Sequence, residues 1–373
     1  MTDAPTVSAA LQQHIADAIR AQGGWMGFDV FMDKALYTPG MGYYAADLPK
    51  FGPMPGGQGG APGSDFVTAP EISPLFGYAL ARQVAQALQA TGTNEVWEFG
   101  AGTGALAEQV LSALHEMDVP LARYTIVDLS GSLRARQQIR LALWGDKVQW
   151  VSALPERMRG VVLGNELIDA MPVRLLARVN GVWHERGVAL SPDGGQFAWA
   201  DQPTALRPPA EVQGDHDYLT EIHPQSEAFV RTLARRLERG AVLLLDYGFP
   251  EAEYYHPQRH MGTVMCHQAH RSDPDPLVHP GEKDITAHVN FTGLALTAQD
   301  AGMEVLGFTN QAHFLINCGL IDLMQAASLP VRSAAQRLIL EHEMGELFKV
   351  IALGVGPVWQ PLGFVQGDKT HRL

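Results

Sequence analysis

Three groups of residues have the types and spacing to do chemistry. The segment EVWEFGAGTGALAEQVL, residues 95–111, places Gly100, Gly102 and Gly104 between a short apolar run and a helical pattern. Glycines allow a tight turn and close backbone approach, and the amides that open a helix favour an electron-rich ligand. Gly100, Gly102 and Ala105 also satisfy the dinucleotide fingerprint. Glu98 leans the other way, because a carboxylate beside the turn would face the sulfonium or ammonium of S-adenosylmethionine but would repel a pyrophosphate. Asp128, closing YTIVD, is the acid expected about 20 residues beyond such a turn to take ribose hydroxyls, and either nucleoside cofactor would use it.

The second group is GVVLGNELIDAMPV, residues 160–173, where a buried-strand pattern ends in Asn165 and Glu166 with Asp169 three positions on. Ligands of open α/β sheets sit at the carboxyl ends of strands. Two carboxylates there, near a methyl donor, suit a guanidinium, which they can hold bidentately and relieve of a proton. Asp246-Tyr247-Gly248 closes a later apolar run and is a further candidate for the substrate side. The third group is His256, His260, His267, His270, His279 and His288 with Cys266. Pro257 breaks its early helical face and the tight paired spacing of a soft-ligand site is missing, so no metal is expected; Asp284, His288 and Asn290 are its polar residues of interest.

These residues need elements to hold them. Short apolar runs at 95–99, 124–128, 147–151, 160–165 and 241–248 alternate with helical patterns, the signature of a parallel sheet covered by helices. Before them come a helix over 8–22, a second over 28–36, and the Gly/Pro-rich stretch 50–65, which no regular element can occupy. Ser73 before Pro74 predicts a helix start, and the helix runs to Gly92. Residues 173–190 carry Asn180-Gly181 between β-rich arms, a hairpin signal, whereas 251–300 show little periodicity and read as an elaborated loop region.

Composition limits the functions available. A chain of 373 residues has room for about two domains. Its 27 Lys+Arg against 40 Asp+Glu give a net charge of −13, which argues against electrostatic holding on nucleic acid or anionic lipid. Two cysteines cannot build a disulfide framework. There is no secretory pattern and no membrane-spanning run, so the expectation is a soluble cytoplasmic protein without membrane insertion.

Taken in order, ALYTPGMGYY, DFVTAPEISPLFG, EFGAGTG, NELIDAMPV, LLLDYG and DITAHVNF resemble the MidA family of class I S-adenosylmethionine-dependent methyltransferases, from about residue 14 to at least 310. Mitochondrial members of that family are protein arginine methyltransferases that assist assembly of respiratory complex I. The resemblance implies that Glu98, Gly100, Gly102 and Gly104 line the methionine and ribose part of the cofactor. It places Asp128 at the ribose, Leu129 and Ser130 among the cofactor-binding residues, and Ala153 and Leu154 by the adenine. Thr68, Pro70, Glu71 and Ser73 match the family's N-terminal motif near the active site, and Asn165, Glu166 and Asp169 its motif after strand four. Two departures stand out: Asp128 replaces the family's usual glutamate, and the insertion at 53–63 is longer than the usual loop.

The expected fold is therefore α/β, a class I methyltransferase (Rossmann-like) fold with a mostly parallel seven-stranded sheet, a helical N-terminal segment over 1–92 carrying the Gly/Pro-rich loop, and a methyltransferase domain over 93–373. Substrate-side regions are expected as insertions at about 173–220, a hairpin subdomain, and about 251–300. The expected reaction is methyl transfer from S-adenosylmethionine to arginine of a partner protein, with Glu166, Asp169 and Glu71 as the catalytic candidates and no nucleic-acid partner. The rivals are a non-catalytic cofactor-binding assembly chaperone, an NAD-dependent oxidoreductase, and a small-molecule or nucleic-acid methyltransferase; no NPPY-type motif follows strand four.

Overall fold

The computed structural model describes residues 7–46, 67–128, 131–268 and 271–373. The chain divides into two compact units: residues 1–48, 169–227 and 249–290 form the first, and residues 49–168, 228–248 and 291–373 the second. Of the expected N-terminal segment, residues 1–48 belong to the first unit and 49–92 to the second. The Gly/Pro-rich insertion at 53–63 lies outside the described residues.

The second unit is built on seven strands: β1 Glu95–Phe99, β2 Arg123–Val127, β3 Val148–Val151, β4 Met158–Asn165, β5 Leu237–Phe249, β6 Glu304–Asn310 and β7 Phe348–Val355. In this numbering they lie in the order 3-2-1-4-5-7-6. Strands β1 to β5 pair in parallel, and β7 alone runs antiparallel to both its neighbours. This is the mostly parallel Rossmann-like sheet expected. The order reverses between β1 and β4, which is where an open sheet of this type leaves a crevice for a ligand.

The central strands read as unbroken apolar runs because helices cover both faces of a parallel sheet. Val161, Val162 and Leu163 of β4 are fully buried, as are Ala241, Val242 and Leu243 of β5. Helix α1, Leu75–Thr91, packs Ala79, Leu80, Val84 and Leu88 into that core and ends at Gly92 in the left-handed region. It begins one residue later than the Ser73-Pro74 pair predicts, with the Ser73 hydroxyl 3.4 Å from the Leu75 amide. Helix α2, Ala105–Glu116, follows the glycine turn, and helix α3, Gly131–Arg140, follows β2.

In the first unit, the Asn180-Gly181 signal is realised as a hairpin of Arg174–Val179 and Val182–Leu190, with φ of 49° and 79° at the two turn residues. Trp25–Gly27, Tyr218–Ile222 and Phe197–Pro203 complete an antiparallel sheet around it. Helix Phe28–Tyr37 lays Phe28 and Phe31 against Trp199 and Phe197 of that sheet. The region 251–300 is more regular than expected. It contributes the short strands Met265–Gln268 and Asp284–Thr286 to this unit and the helix Phe291–Asp300 to the other. Strands of three or four residues are too short for a period to show. The helix has the signal, with Phe291, Leu294, Ala295 and Ala298 buried at helical spacing, but the aperiodic residues before it mask it.

Candidate functional site

Gly100, Gly102 and Gly104 have φ of 64°, 52° and 82°, all in the left-handed region that a side chain disfavours. They turn the chain sharply from the end of β1 into α2, whose first residue is Ala105. A Cβ at Gly102 would meet no atom within 4 Å, so the turn presents bare backbone to open space there. A Cβ at Gly100 would lie 3.2 Å from the Leu167 side chain, so this turn fits closely against the loop that follows β4.

Glu98, two residues before the turn, is almost fully buried and accepts a hydrogen bond from the Tyr124 hydroxyl at 2.7 Å. Burial pushes its carboxyl up to about 7, the Tyr124 hydroxyl opposes the rise, and the nearby Asp128 charge adds to it. A cation arriving beside this group would favour its ionised form. Asp128, just past β2, accepts from Gln137 Nε2 at 2.8 Å. Leu129 and Ser130 lie outside the described residues. Ala153 is exposed and Leu154 half-buried in the loop after β3.

The N-terminal motif reaches the same turn. Thr68 precedes the short helix Ala69–Ile72, and the Pro70 carbonyl accepts from Gln109 of α2 at 2.8 Å. Glu71 accepts from the Thr103 hydroxyl in the turn and pairs with Arg140 of α3 at 3.1 Å. Arg140 also donates to Thr103 Oγ1 at 2.7 Å. The charge of Glu71 is thus balanced by a cation that grips the turn as well.

After β4, Glu166 has φ of 50°, an uncommon conformation for a residue with a side chain. Such strain persists only where the surroundings enforce it, and it concentrates at functional sites. Here the Glu166 amide donates to the Leu245 carbonyl at 2.9 Å, while Asp246 Oδ2 accepts from the amides of Leu167 and Ile168 at 3.1 and 2.8 Å. Asp246 is fully buried and also accepts from the Tyr247 amide, so it braces the Glu166 turn. The Glu166 carboxylate receives Asn165 Nδ2 at 3.1 Å and the Ala69 amide at 3.3 Å. Asn165 Oδ1 is buried with no hydrogen-bond partner among the described residues.

The second unit therefore brings together Thr68, Pro70, Glu71, Glu98, the three glycines, Asp128, Asn165 and Glu166. Asp169 belongs to the first unit, where it is buried and its carbonyl accepts from the Ala287 amide at 2.9 Å. In that unit the Tyr44 hydroxyl donates to Asp284 at 2.8 Å, and burial, together with the charges of Asp284 and Asp169, raises the titration of Tyr37 and Tyr44. Among the described residues no group of three His, Cys, Asp or Glu is arranged to hold a metal ion, and no helix is long and apolar enough to cross a membrane.

Sequence reasoning missed Gln137, Arg140 and Tyr124. Tyr124 had a signal, since it lies in the strand beside β1 and next to Val96 in register. Gln137 and Arg140 had only their three-residue spacing on a helix face, which any solvated helix shows.

The open space at Gly102, the left-handed glycines, the buried Glu98 carboxylate and the orphaned Asn165 oxygen fit a nucleoside bearing a cationic amino-acid tail. Known proteins point the same way. The chain is similar to the mitochondrial protein arginine methyltransferase NDUFAF7 homolog of Caenorhabditis elegans, 26% identical over 391 residues, spanning 94% of this chain and 87% of that protein. The human mitochondrial protein arginine methyltransferase NDUFAF7 is 28% identical over 378 residues, covering 87% of this chain and 78% of that protein. A Burkholderia thailandensis protein crystallised with S-adenosylhomocysteine bound has 47% identity and a TM-score of 0.93, with both chains covered over 100%. The expectation of a cytoplasmic protein does not stand, because these curated relatives are named as mitochondrial. The lack of a secretory pattern does not define a compartment. A family model of S-adenosyl-L-methionine-dependent methyltransferases matches residues 79–309, more than half of the chain, and the protein belongs to that family.

Proposed function

We propose that this protein transfers a methyl group from S-adenosylmethionine to an arginine side chain of a partner protein, and that by the family resemblance the partner belongs to the assembly of respiratory complex I. The observation that carries the reading is Glu166, whose carboxylate stands at the carboxyl end of β4 in a left-handed conformation braced by Asp246 and anchored to the N-terminal motif at Ala69. The names of the arginine methyltransferase relatives supply the substrate class.

Bound S-adenosylmethionine supplies an electrophilic methyl group on a cationic sulfur. The glycine turn would admit the methionine end, Glu98 would offset its positive charge, and Asp128 would accept the ribose hydroxyls; by the family resemblance Leu129 and Ser130 also belong to the cofactor site. Ala153 and Leu154 flank the adenine, while Asn165, Thr68 and Pro70 complete the wall. Glu166 would hold the incoming guanidinium and accept a proton from the nitrogen that takes the methyl group. Asp169, from the same sequence motif, is the other candidate acid. Glu71, charge-balanced by Arg140, acts on the turn side.

The test is incubation of the protein with methyl-labelled S-adenosylmethionine and mitochondrial and bacterial lysates, followed by acid hydrolysis and detection of methylarginine. For Glu166→Gln, binding of S-adenosylhomocysteine should stay within about threefold, while transfer falls by about a hundredfold or more, as expected for loss of a general base. Label on lysine or on nucleic acid instead would overturn the substrate class, and undiminished transfer by Glu166→Gln would remove that residue from the reaction.

A further inference from the structure

Helix α3 carries a side chain that links the two halves of the proposed cofactor site. Gln137 is fully buried and makes three hydrogen bonds. Its Nε2 donates to the Gly102 carbonyl at 2.9 Å and to Asp128 Oδ2 at 2.8 Å, and its Oε1 accepts from Trp150 Nε1 of β3 at 2.9 Å. The orientation of a glutamine amide is ordinarily ambiguous, but an indole N–H can only donate. The atom facing Trp150 must be the oxygen, so the two N–H groups must face Gly102 and Asp128. Both donors are then used on the glycine turn and on the acid after β2.

Each bond has a consequence for a bound nucleoside. With its carbonyl drawn toward Gln137, the peptide that joins Gly102 to Thr103 is trans and directs the Thr103 N–H away from it. At Asp128, one carboxylate oxygen is fixed by a neutral donor, which sets the rotation of the group without cancelling its charge. A carboxylate accepts up to about four hydrogen bonds, and the Gln137 donor takes one of these positions. The same residue also packs under the turn, since a Cβ at Gly104 would lie 3.4 Å from Gln137 Cγ.

We propose that Gln137 is a positioning and specificity residue: it locks the glycine turn and the Asp128 carboxylate in one frame, so that recognition of the ribose hydroxyls depends on it. The inference rests on Asp128 being the ribose acid, as proposed above. Gln137 does not touch the reacting atoms, so its effect is on the binding of the ribose and on KM more than on kcat.

The test compares calorimetric affinities for S-adenosylhomocysteine and its 2′-deoxy analogue in the full-length protein, in Gln137→Met, which keeps length and burial, and in Asp128→Asn. A hydrogen bond to a charged acceptor is worth roughly a ten- to hundredfold preference for the ribo compound in the parent protein. Gln137→Met should bind S-adenosylhomocysteine about tenfold more weakly, bind the deoxy analogue almost as the parent does, and discriminate between them less than about threefold. A merely structural residue would weaken both ligands equally and leave their ratio intact, and that result overturns the proposal. If the parent and Asp128→Asn fail to discriminate at all, the ribose reading itself fails and this inference with it. Should Gln137→Met not fold, Trp150→Phe removes the donor that orients the amide and should lower the same ratio in part; an unchanged ratio there is equally contrary.

Discussion

At the scale of single residues, Glu98 carries the clearest electrostatic consequence. Its carboxyl is held up at about 7 by burial, above the ordinary value of 4.5. Folding therefore favours the protonated form. The stability this gives is complete below about pH 4.5 and is lost as pH rises through about 7, where the folded state must ionise a buried acid. Glu98→Gln is expected to remove that dependence and to be more stable than the parent at pH 8, by an amount on the order of 3 kcal/mol. The two proteins should converge below about pH 4.5. Urea denaturation at both pH values checks this, and parallel curves for parent and variant would show that Glu98 is solvated in the folded protein.

At the scale of elements, the turn between β1 and α2 concentrates the requirement for glycine. Gly102 combines a left-handed φ of 52° with open space where its side chain would be. Gly102→Val should cost stability of roughly 1–2 kcal/mol for the backbone conformation, yet the new side chain meets no protein atom. The larger effect falls on the ligand: calorimetry should find S-adenosylhomocysteine binding lost, with the circular dichroism spectrum preserved. Normal affinity in the variant would place the cofactor elsewhere. The short helix Ala69–Ile72 and α3 act on the same turn from other directions, through Glu71 and Arg140 and through Gln137. Two elements distant in sequence thus fix one loop.

At the scale of the whole molecule, the net charge of −13 bears on partner choice. An acidic chain attracts a basic substrate over distances set by salt, with a screening length of about 10 Å at 0.1 M. For an arginine-rich acceptor, KM is expected to rise severalfold between about 50 and 500 mM salt while kcat changes little, since steering acts on encounter. Steady-state kinetics at the two salt concentrations measure it, and a salt-independent KM would mean that local contacts alone select the substrate.

Much of this was written in the sequence. The apolar runs of β1, β4 and β5 declare a parallel sheet because strands buried on both faces admit few polar residues. The glycines declare a turn that no other residue adopts cheaply, and Asn180-Gly181 declares a hairpin for the same reason. Local chemistry sufficed in each case. Tertiary structure alone decided which distant groups meet: Gln137 with Asp128 and Gly102, Tyr124 with Glu98, Arg140 with Glu71, and Asp246 with the amides behind Glu166. It also gave the short strands Met265–Gln268 and Asp284–Thr286 and the helix Phe291–Asp300 within 251–300, and it assigned Asp169 to a different unit from Glu166. Periodicity reports which face of an element is buried. It carries no record of which side chain waits on the opposite element, and that pairing is set by the packing of strands and helices far apart in the chain.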